Sequence, residues 1–223
     1  MSDRKGETLQ LVGSNGVHFD AYVVGPDAAT RGILICHEWW GVSAHNLDWA
    51  DEFAEQGYKV CVVDLFDGVV TDEVSEAQLM AAGLDRNDAD AKLMAALDLL
   101  DRPARKIASY GVSFGGRQAL CSAILAGDKV AATVVGYCRL ETDQEKLAEL
   151  GGPVFVFYAE QERTWPAKQE KFEAAMQQAG KRTESISFDA AHGFTNPTSS
   201  RYDAEADRAA WQATLDFLDK ELG

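Results

Sequence analysis

The chain has 223 residues, 46% of them hydrophobic, which suits one packed domain and excludes wholesale disorder. Its 36 acidic residues against 21 Lys plus Arg leave a formal charge of −15 with no basic cluster along the sequence, so neither nucleic acid nor an anionic membrane surface is expected as a partner. The longest apolar runs, such as Gly32–Cys36 and Val130–Val135, fall far short of the roughly 20 residues of a membrane-spanning helix. Met1–Gln10 is polar and is read as neither a signal peptide nor a lipid anchor, so a cytoplasmic protein is expected. Cys36, Cys61, Cys121 and Cys138 each lie in an apolar run without close pairing, which predicts four buried, reduced thiols rather than a metal site or disulfide framework.

In chain order, Thr8–Val12 and Val17–Val24 alternate polar and apolar residues around Gly13-Ser14-Asn15-Gly16, the pattern of a β-hairpin. Gly32–Cys36 reads as a short buried strand, followed by a helix from about Ser43 to Gln56 that Gly57 ends. Tyr58–Leu65 is a second buried strand, with helices over Asp72–Ala82 and Asn87–Asp101. Strand Lys106–Tyr110 then runs through Gly111 toward a helix over Gly115–Ala126. Three more strands, Val130–Tyr137, Pro153–Tyr158 and Ser185–Phe188, and helices over Pro166–Ala179 and Tyr202–Leu222 complete the chain. Short β-branched runs alternating with amphipathic helices predict a doubly wound α/β domain, spanning 1–223, with a mostly parallel sheet behind an antiparallel hairpin. In such sheets the ligand crevice lies at the carboxyl ends of the strands.

After the strand ending at Tyr110 comes Gly111-Val112-Ser113-Phe114-Gly115-Gly116 and then a helix. This is G-x-S-x-G in the strand-turn-helix setting of a nucleophile elbow, where the glycines relieve collisions around a sharply turned serine. Ser113 is the expected nucleophile, and the Phe114 N–H at the helix N-terminus is one expected oxyanion donor. A similar strand end, Gly136-Tyr137-Cys138, lacks the following glycine and an immediate helix, so Cys138 is not the expected nucleophile. A serine needs a base, and histidine suits the task. Of His18, His37, His45 and His192, the last follows the final strand and is the one that satisfies the order nucleophile, acid, histidine. His18 falls in the hairpin, while His37 and His45 could line the crevice. The acid is expected in the loop after Val154–Tyr158, where Glu162 is chosen, Glu160 held in reserve and Asp189 placed third. His37, Glu38 and His45 do not have the spacing of a zinc-binding HExxH, so no metal and no cofactor is expected.

With these residues in place the sequence resembles the dienelactone hydrolase family of α/β-hydrolases over nearly its whole length. The likeness is carried by Ile35-Cys36-His37-Glu38-Trp39-Trp40-Gly41-Val42, by Gly57-Tyr58 leading to Val63-Asp64-Leu65-Phe66, and by the elbow Gly111–Gly116. It continues through Glu162 with Pro166 and Ala191-His192-Gly193-Phe194 to Tyr202-Asp203-Ala204. The resemblance implies an α/β-hydrolase fold, a glutamate beside the nucleophile at Glu38, the Trp39 N–H as second oxyanion donor, and the acid at Glu162. Three departures stand out: Ser113 where the family's familiar members have cysteine, glutamate for aspartate at 162, and no arginine at Asn196 or within Val69–Asp85. A hydroxyl is too weak an acid to be ionised by a carboxylate, so Glu38 becomes a supporting or gating residue. The missing arginines, with the acidic charge, count against a dienelactone or other anionic substrate. Trp40, Trp165 and Asn196 are expected in the substrate pocket, and Trp39 and Phe114 add to its apolar character. The expected function is serine-dependent hydrolysis of a small carboxylic ester or lactone through an acyl-enzyme. A thioesterase or peptidase would use the same residues, and a non-catalytic ligand-binding protein on this fold is the alternative of another class. Neither the natural substrate nor the oligomeric state is legible in the sequence.

Overall fold

Each short apolar run becomes a strand because both of its faces find cover. In β3 (Arg31–Cys36), Leu34 and Cys36 enter one apolar core and Ile33 and Ile35 the other. The computed structural model describes residues 4–223; residues 1–3, on which part of the leader and anchor reading rests, lie outside the described residues.

The hairpin strands β1 (Glu7–Val12) and β2 (His18–Val24) and the strands β4 (Lys59–Val63), β5 (Lys106–Val112), β6 (Val130–Gly136), β7 (Val154–Ala159) and β8 (Thr183–Phe188) join β3 in one sheet. Its order is β1-β2-β4-β3-β5-β6-β7-β8. β1 pairs antiparallel with β2, and β2 antiparallel with β4, while every later neighbour is parallel. The helices are α1 (Ala44–Glu55), α2 (Val74–Gly83), α3 (Arg86–Leu100), α4 (Ser113–Ala126), α5 (Gln144–Ala148), α6 (Ala167–Gln178) and α7 (Ala204–Leu222). Buried residues of α3, α4 and α6 build the core on one face, and those of α1 and α7 the core on the other. This is the mostly parallel, doubly wound α/β-hydrolase sheet with its antiparallel hairpin, as expected. Among the described residues no helix is long and apolar enough to cross a membrane.

Element boundaries depart from the sequence reading where side chains compete with the ladder. β4 ends at Val63 rather than Leu65, because Asp64 turns back to accept the N–H groups of Phe66 and Gly68. β5 runs two residues farther, to Val112, and α4 begins at Ser113 with no intervening loop. The five-residue α5, capped by Asp143, went unread because it is too short for a helical period. Cys121 is half-buried, correcting the expectation of four fully buried thiols, although all four are free.

The order reverses between β3 and β5, since β3 connects onward to β4 on one side while β5 lies on the other. The crevice of an open α/β sheet forms at such a switch point. Here it brings the loop after β3 beside the start of α4. A Cβ on Gly115 would collide with the carbonyl oxygens of Cys36 and His37, so the helix start touches the end of β3 directly. Gly115→Ala is therefore expected to lower stability in urea unfolding by about 2–3 kcal/mol. Gly83→Ala, at a helical position with open space around it, should be neutral or stabilising by up to about 1 kcal/mol.

Candidate active site

Ser113 occupies the junction of β5 and α4 with φ +53°, in the left-handed region that a non-glycine residue rarely adopts. The turn is this tight because Gly111 and Gly115 pack backbone to backbone: a Cβ on Gly111 would strike the Gly115 carbonyl. The Ser113 hydroxyl is thereby presented beyond the carboxyl end of β5, in the interior of the sheet, where His192 meets it. Ser113 Oγ lies 2.8 Å from His192 Nε2, and His192 Nδ1 lies 2.5 Å from Glu162 Oε1. Glu160 and Asp189 do not reach His192; the Asp189 carboxylate instead accepts from Gln161 Nε2 at 3.2 Å. The structure thus brings together Ser113, His192 and Glu162 from the ends of β5, β8 and β7.

Partners not singled out in the sequence hold this arrangement. Lys168, on the first turn of α6, donates to Glu162 Oε2. Burial by itself would raise the Glu162 pKa, but the hydrogen bonds from His192 and Lys168 outweigh it and hold the carboxyl below its ordinary value. The loop carrying His192 is anchored by Tyr137, whose ring packs edge-on against the imidazole at 5.1 Å and whose hydroxyl lies 2.6 Å from Thr195 Oγ1. Lys168 could have been suspected from its place one turn beyond the acid loop; the Tyr137–Thr195 contact spans 58 residues and leaves no local signal.

The loop after β3 supplies the opposite wall. His37 is fully buried and does not line the cavity. Its Nδ1 lies 2.6 Å from the Glu38 carbonyl and its Nε2 accepts the Leu65 N–H at 3.1 Å, which defines a neutral Nδ1–H tautomer. Gly41 N–H donates to the same Glu38 carbonyl. The Glu38–Trp39 peptide is therefore fixed from its carbonyl side, and the Trp39 N–H has no hydrogen-bond partner among the described residues. Phe114 lies in the first turn of α4, where backbone N–H groups have no acceptor within the helix. Its side chain turns away and packs against Phe66 and His37 rather than facing the cavity.

A cavity of about 1030 Å³ opens onto this site, lined by Ser113, His192, Glu38, Trp39, Trp40 and Asn196 together with the segment Val70–Val74. That segment is tied down by the Thr71 N–H donating to the Trp40 carbonyl at 3.0 Å. His45 also lines this cavity, and burial lowers its pKa to about 4, so it is neutral. Trp165 lies elsewhere, in a second cavity on the side of α6, with its indole N–H on Gln169. Cys138, the discarded nucleophile, is buried against Gly116, and burial pushes its thiol up to about 12.

Glu38 is only 3% exposed, and Asn196 Nδ2 donates to its Oε2 at 3.0 Å. Asn196 is itself held by Thr198, whose N–H and hydroxyl both donate to Asn196 Oδ1. Burial raises the Glu38 pKa to about 7, and the single neutral donor offsets only part of that. A cation at 196 would favour the ionised carboxylate more strongly than the neutral asparagine does.

The model of the dienelactone hydrolase family matches residues 19–222. The chain belongs to the dienelactone hydrolase family. Membership makes it a hydrolase of the carboxylic ester and lactone class. A Yersinia pestis protein named "Putative carboxymethylenebutenolidase" is 26% identical, over 96% of this chain and 87% of that protein. The fold recurs in solved structures, of which two serve as examples. One, named m3DLH, has a TM-score of 0.87 at 21% identity and covers 98% of this chain and 99% of its own. A dienelactone hydrolase from Anabaena variabilis has a TM-score of 0.71 at 23% identity, covering 98% of this chain and all of that one (100%).

The raised Glu38 pKa has a measurable consequence for stability. The folded protein keeps the Glu38 proton between about pH 4.5 and 7, while the unfolded chain loses it, so this carboxyl costs stability as pH rises through that window. Glu38→Gln keeps the hydrogen bonding and cannot ionise. Relative to the parent, the variant should gain about 2–3 kcal/mol between pH 4.5 and pH 8 in urea unfolding. A gap independent of pH would show that Glu38 is ionised in the folded protein.

Proposed function

We propose that this member of the dienelactone hydrolase family is a serine hydrolase of small carboxylic esters or lactones that works through an acyl-enzyme. The observation that carries the reading is the unbroken hydrogen-bonded chain from Ser113 through His192 to Glu162 at the mouth of the larger cavity. In this reading Ser113 Oγ attacks the substrate carbonyl carbon while its proton passes to His192 Nε2. Glu162 accepts the Nδ1–H, fixing the tautomer and stabilising the imidazolium that forms. The developing oxyanion is met by the N–H groups of Phe114 and Trp39. The tetrahedral adduct then collapses, the C–O bond to the alcohol breaks, and His192 gives its proton to the departing alkoxide. In a lactone the alcohol stays tethered to the acyl part. Water next attacks the acyl-enzyme as His192 takes its proton, and the carboxylic acid leaves with Ser113 restored.

Serine rather than cysteine changes what the neighbouring carboxyl contributes. A thiolate can stand ready before substrate arrives, whereas a hydroxyl gives up its proton only during attack. Glu38, whose pKa burial raises to about 7, is partly protonated near neutral pH and so puts less negative charge beside the incipient oxyanion than an ordinary carboxylate would. Trp40 and Asn196 shape the same cavity, and no metal or cofactor has a part in the sequence of steps. The partly aromatic wall, in which Glu38, Asp72, Glu73 and Glu76 outnumber Arg201, suits an uncharged rather than an anionic acyl portion.

Ser113→Ala is expected to lower kcat/KM on a small activated ester such as 4-nitrophenyl acetate by about 10⁴-fold or more, with an unchanged circular dichroism spectrum. Glu162→Gln should lose less, because the imidazole keeps its place on Ser113. An active-site-directed phosphonate should label the parent stoichiometrically at Ser113; activity at the parent level in Ser113→Ala would overturn the reading.

A further inference from the structure

The second cavity, of about 710 Å³, lies between α4, the loop after β6 and the segment from Glu162 into α6. His192 lines both cavities, whereas Ser113 lines only the first. The two differ in charge. The first has Glu38, Asp72, Glu73 and Glu76 in its walls against Arg201. The second has Arg117, Arg139, Arg163, Lys168 and Lys171, five of the chain's 21 basic residues.

Its two carboxylates are already engaged. Glu162 accepts from His192 and Lys168, and Glu141 accepts from Lys146 and from the N–H groups of Thr142 and Asp143. Among the described residues, Arg117, Arg139, Arg163 and Lys171 have neither an ion-pair partner nor a side-chain hydrogen bond. Four uncompensated cations around one concavity, in a chain of net charge −15, form a local anion-attracting field. Three of them are guanidinium groups, which suit the bidentate grip of a phosphate.

We infer that this cavity is a subsite for a dianionic phosphate group carried on the leaving alcohol of the substrate. The inference rests on the serine hydrolase reading, which also sets its direction. His192 must deliver its proton to the leaving oxygen, so the alcohol departs on the side of the imidazole. Nε2 faces Ser113 and Nδ1 faces Glu162, so the second cavity, lined by Glu162 and not by Ser113, borders the same imidazole toward Nδ1, and an alcohol leaving beside Nε2 reaches it by running along the ring. The acyl group then occupies the first cavity, where no arginine faces it except Arg201 at the rim. A monoanion would satisfy one guanidinium fork and leave the other cations unmatched; a phosphate monoester presents two charges and three acceptor oxygens.

The test compares three acetate esters of similar size: of 3-hydroxypropyl phosphate, of 4-hydroxybutanoate and of 1-butanol. The phosphate ester should exceed the neutral one at least tenfold in kcat/KM at low salt and exceed the carboxylate ester clearly. The advantage should shrink as salt rises. The double variant Arg117→Gln, Arg139→Gln should lose most of that preference and keep its rate on butyl acetate within about twofold. Equal rates on all three esters, or equal losses on all three in the variant, would overturn the subsite. A carboxylate ester as good as the phosphate ester would overturn the dianion assignment. Should the parent hydrolyse none of them, the hydrolase reading fails on its own account. Calorimetric titration with 3-hydroxypropyl phosphate then decides the subsite: binding to the parent that the double variant loses supports it, and no binding to the parent refutes it.

Discussion

Everything at the candidate site depends on one close approach of backbone to backbone, where β5 turns into α4. No loop separates the last strand residue, Val112, from the first helical residue, Ser113. The strained backbone at Ser113, a cost on the order of 1–3 kcal/mol, persists because parallel neighbours hold β5 on both sides and the glycines let α4 lie against the end of β3. The same contact sets the distance from the serine to the Glu38–Trp39 peptide. His37 completes the device from below, tying that peptide to the end of β4 through Leu65. A residue that looks in sequence like a spare base is therefore a buried, neutral strut.

Two carboxylates beside His192 and Ser113 are driven in opposite directions by their surroundings. Glu162 is buried but receives charged and hydrogen-bonding partners on both oxygens, which hold it below its ordinary pKa. Glu38 is buried more completely and receives one neutral amide, so it rises to about 7. Divergent environments for like groups are how one site assigns different protonation states at one pH. In the proposed chemistry the first is the anion that steadies an imidazolium, and the second is a carboxyl whose raised pKa lessens the negative charge next to a developing oxyanion. The choice of asparagine at 196 controls the second half of this arrangement.

Much of the framework was readable because its causes are local. The buried β-branched runs, the helix-ending Gly57 and the G-x-S-x-G turn each carry their physical reason within a few residues, and each appears where it was expected. Glu162 over Glu160 could also be favoured from position, but only the loop's fold shows that Glu162 faces the imidazole and that Asp189 turns to Gln161. Trp165 shows the limit. It stands close to Glu162 in sequence and was grouped with Trp40, yet the chain direction into α6 carries it to the other side of His192. Lys168, Tyr137 and Thr195 were missed for the same reason: what they do is defined by contacts between distant segments.

The opening charge of −15 illustrates the division most clearly. From the sequence alone follow the acidic balance, the alternation that makes a doubly wound sheet, and the order of serine, acid and histidine, because composition and period are properties of the chain itself. Only the tertiary structure decides which charges share a cavity. Arg117, Arg139, Arg163 and Lys171 are scattered over 55 residues of an acidic chain, and folding gathers them around one face of His192 while acidic residues line the other. Electrostatic potential depends on distance through space, and linear order does not record that distance.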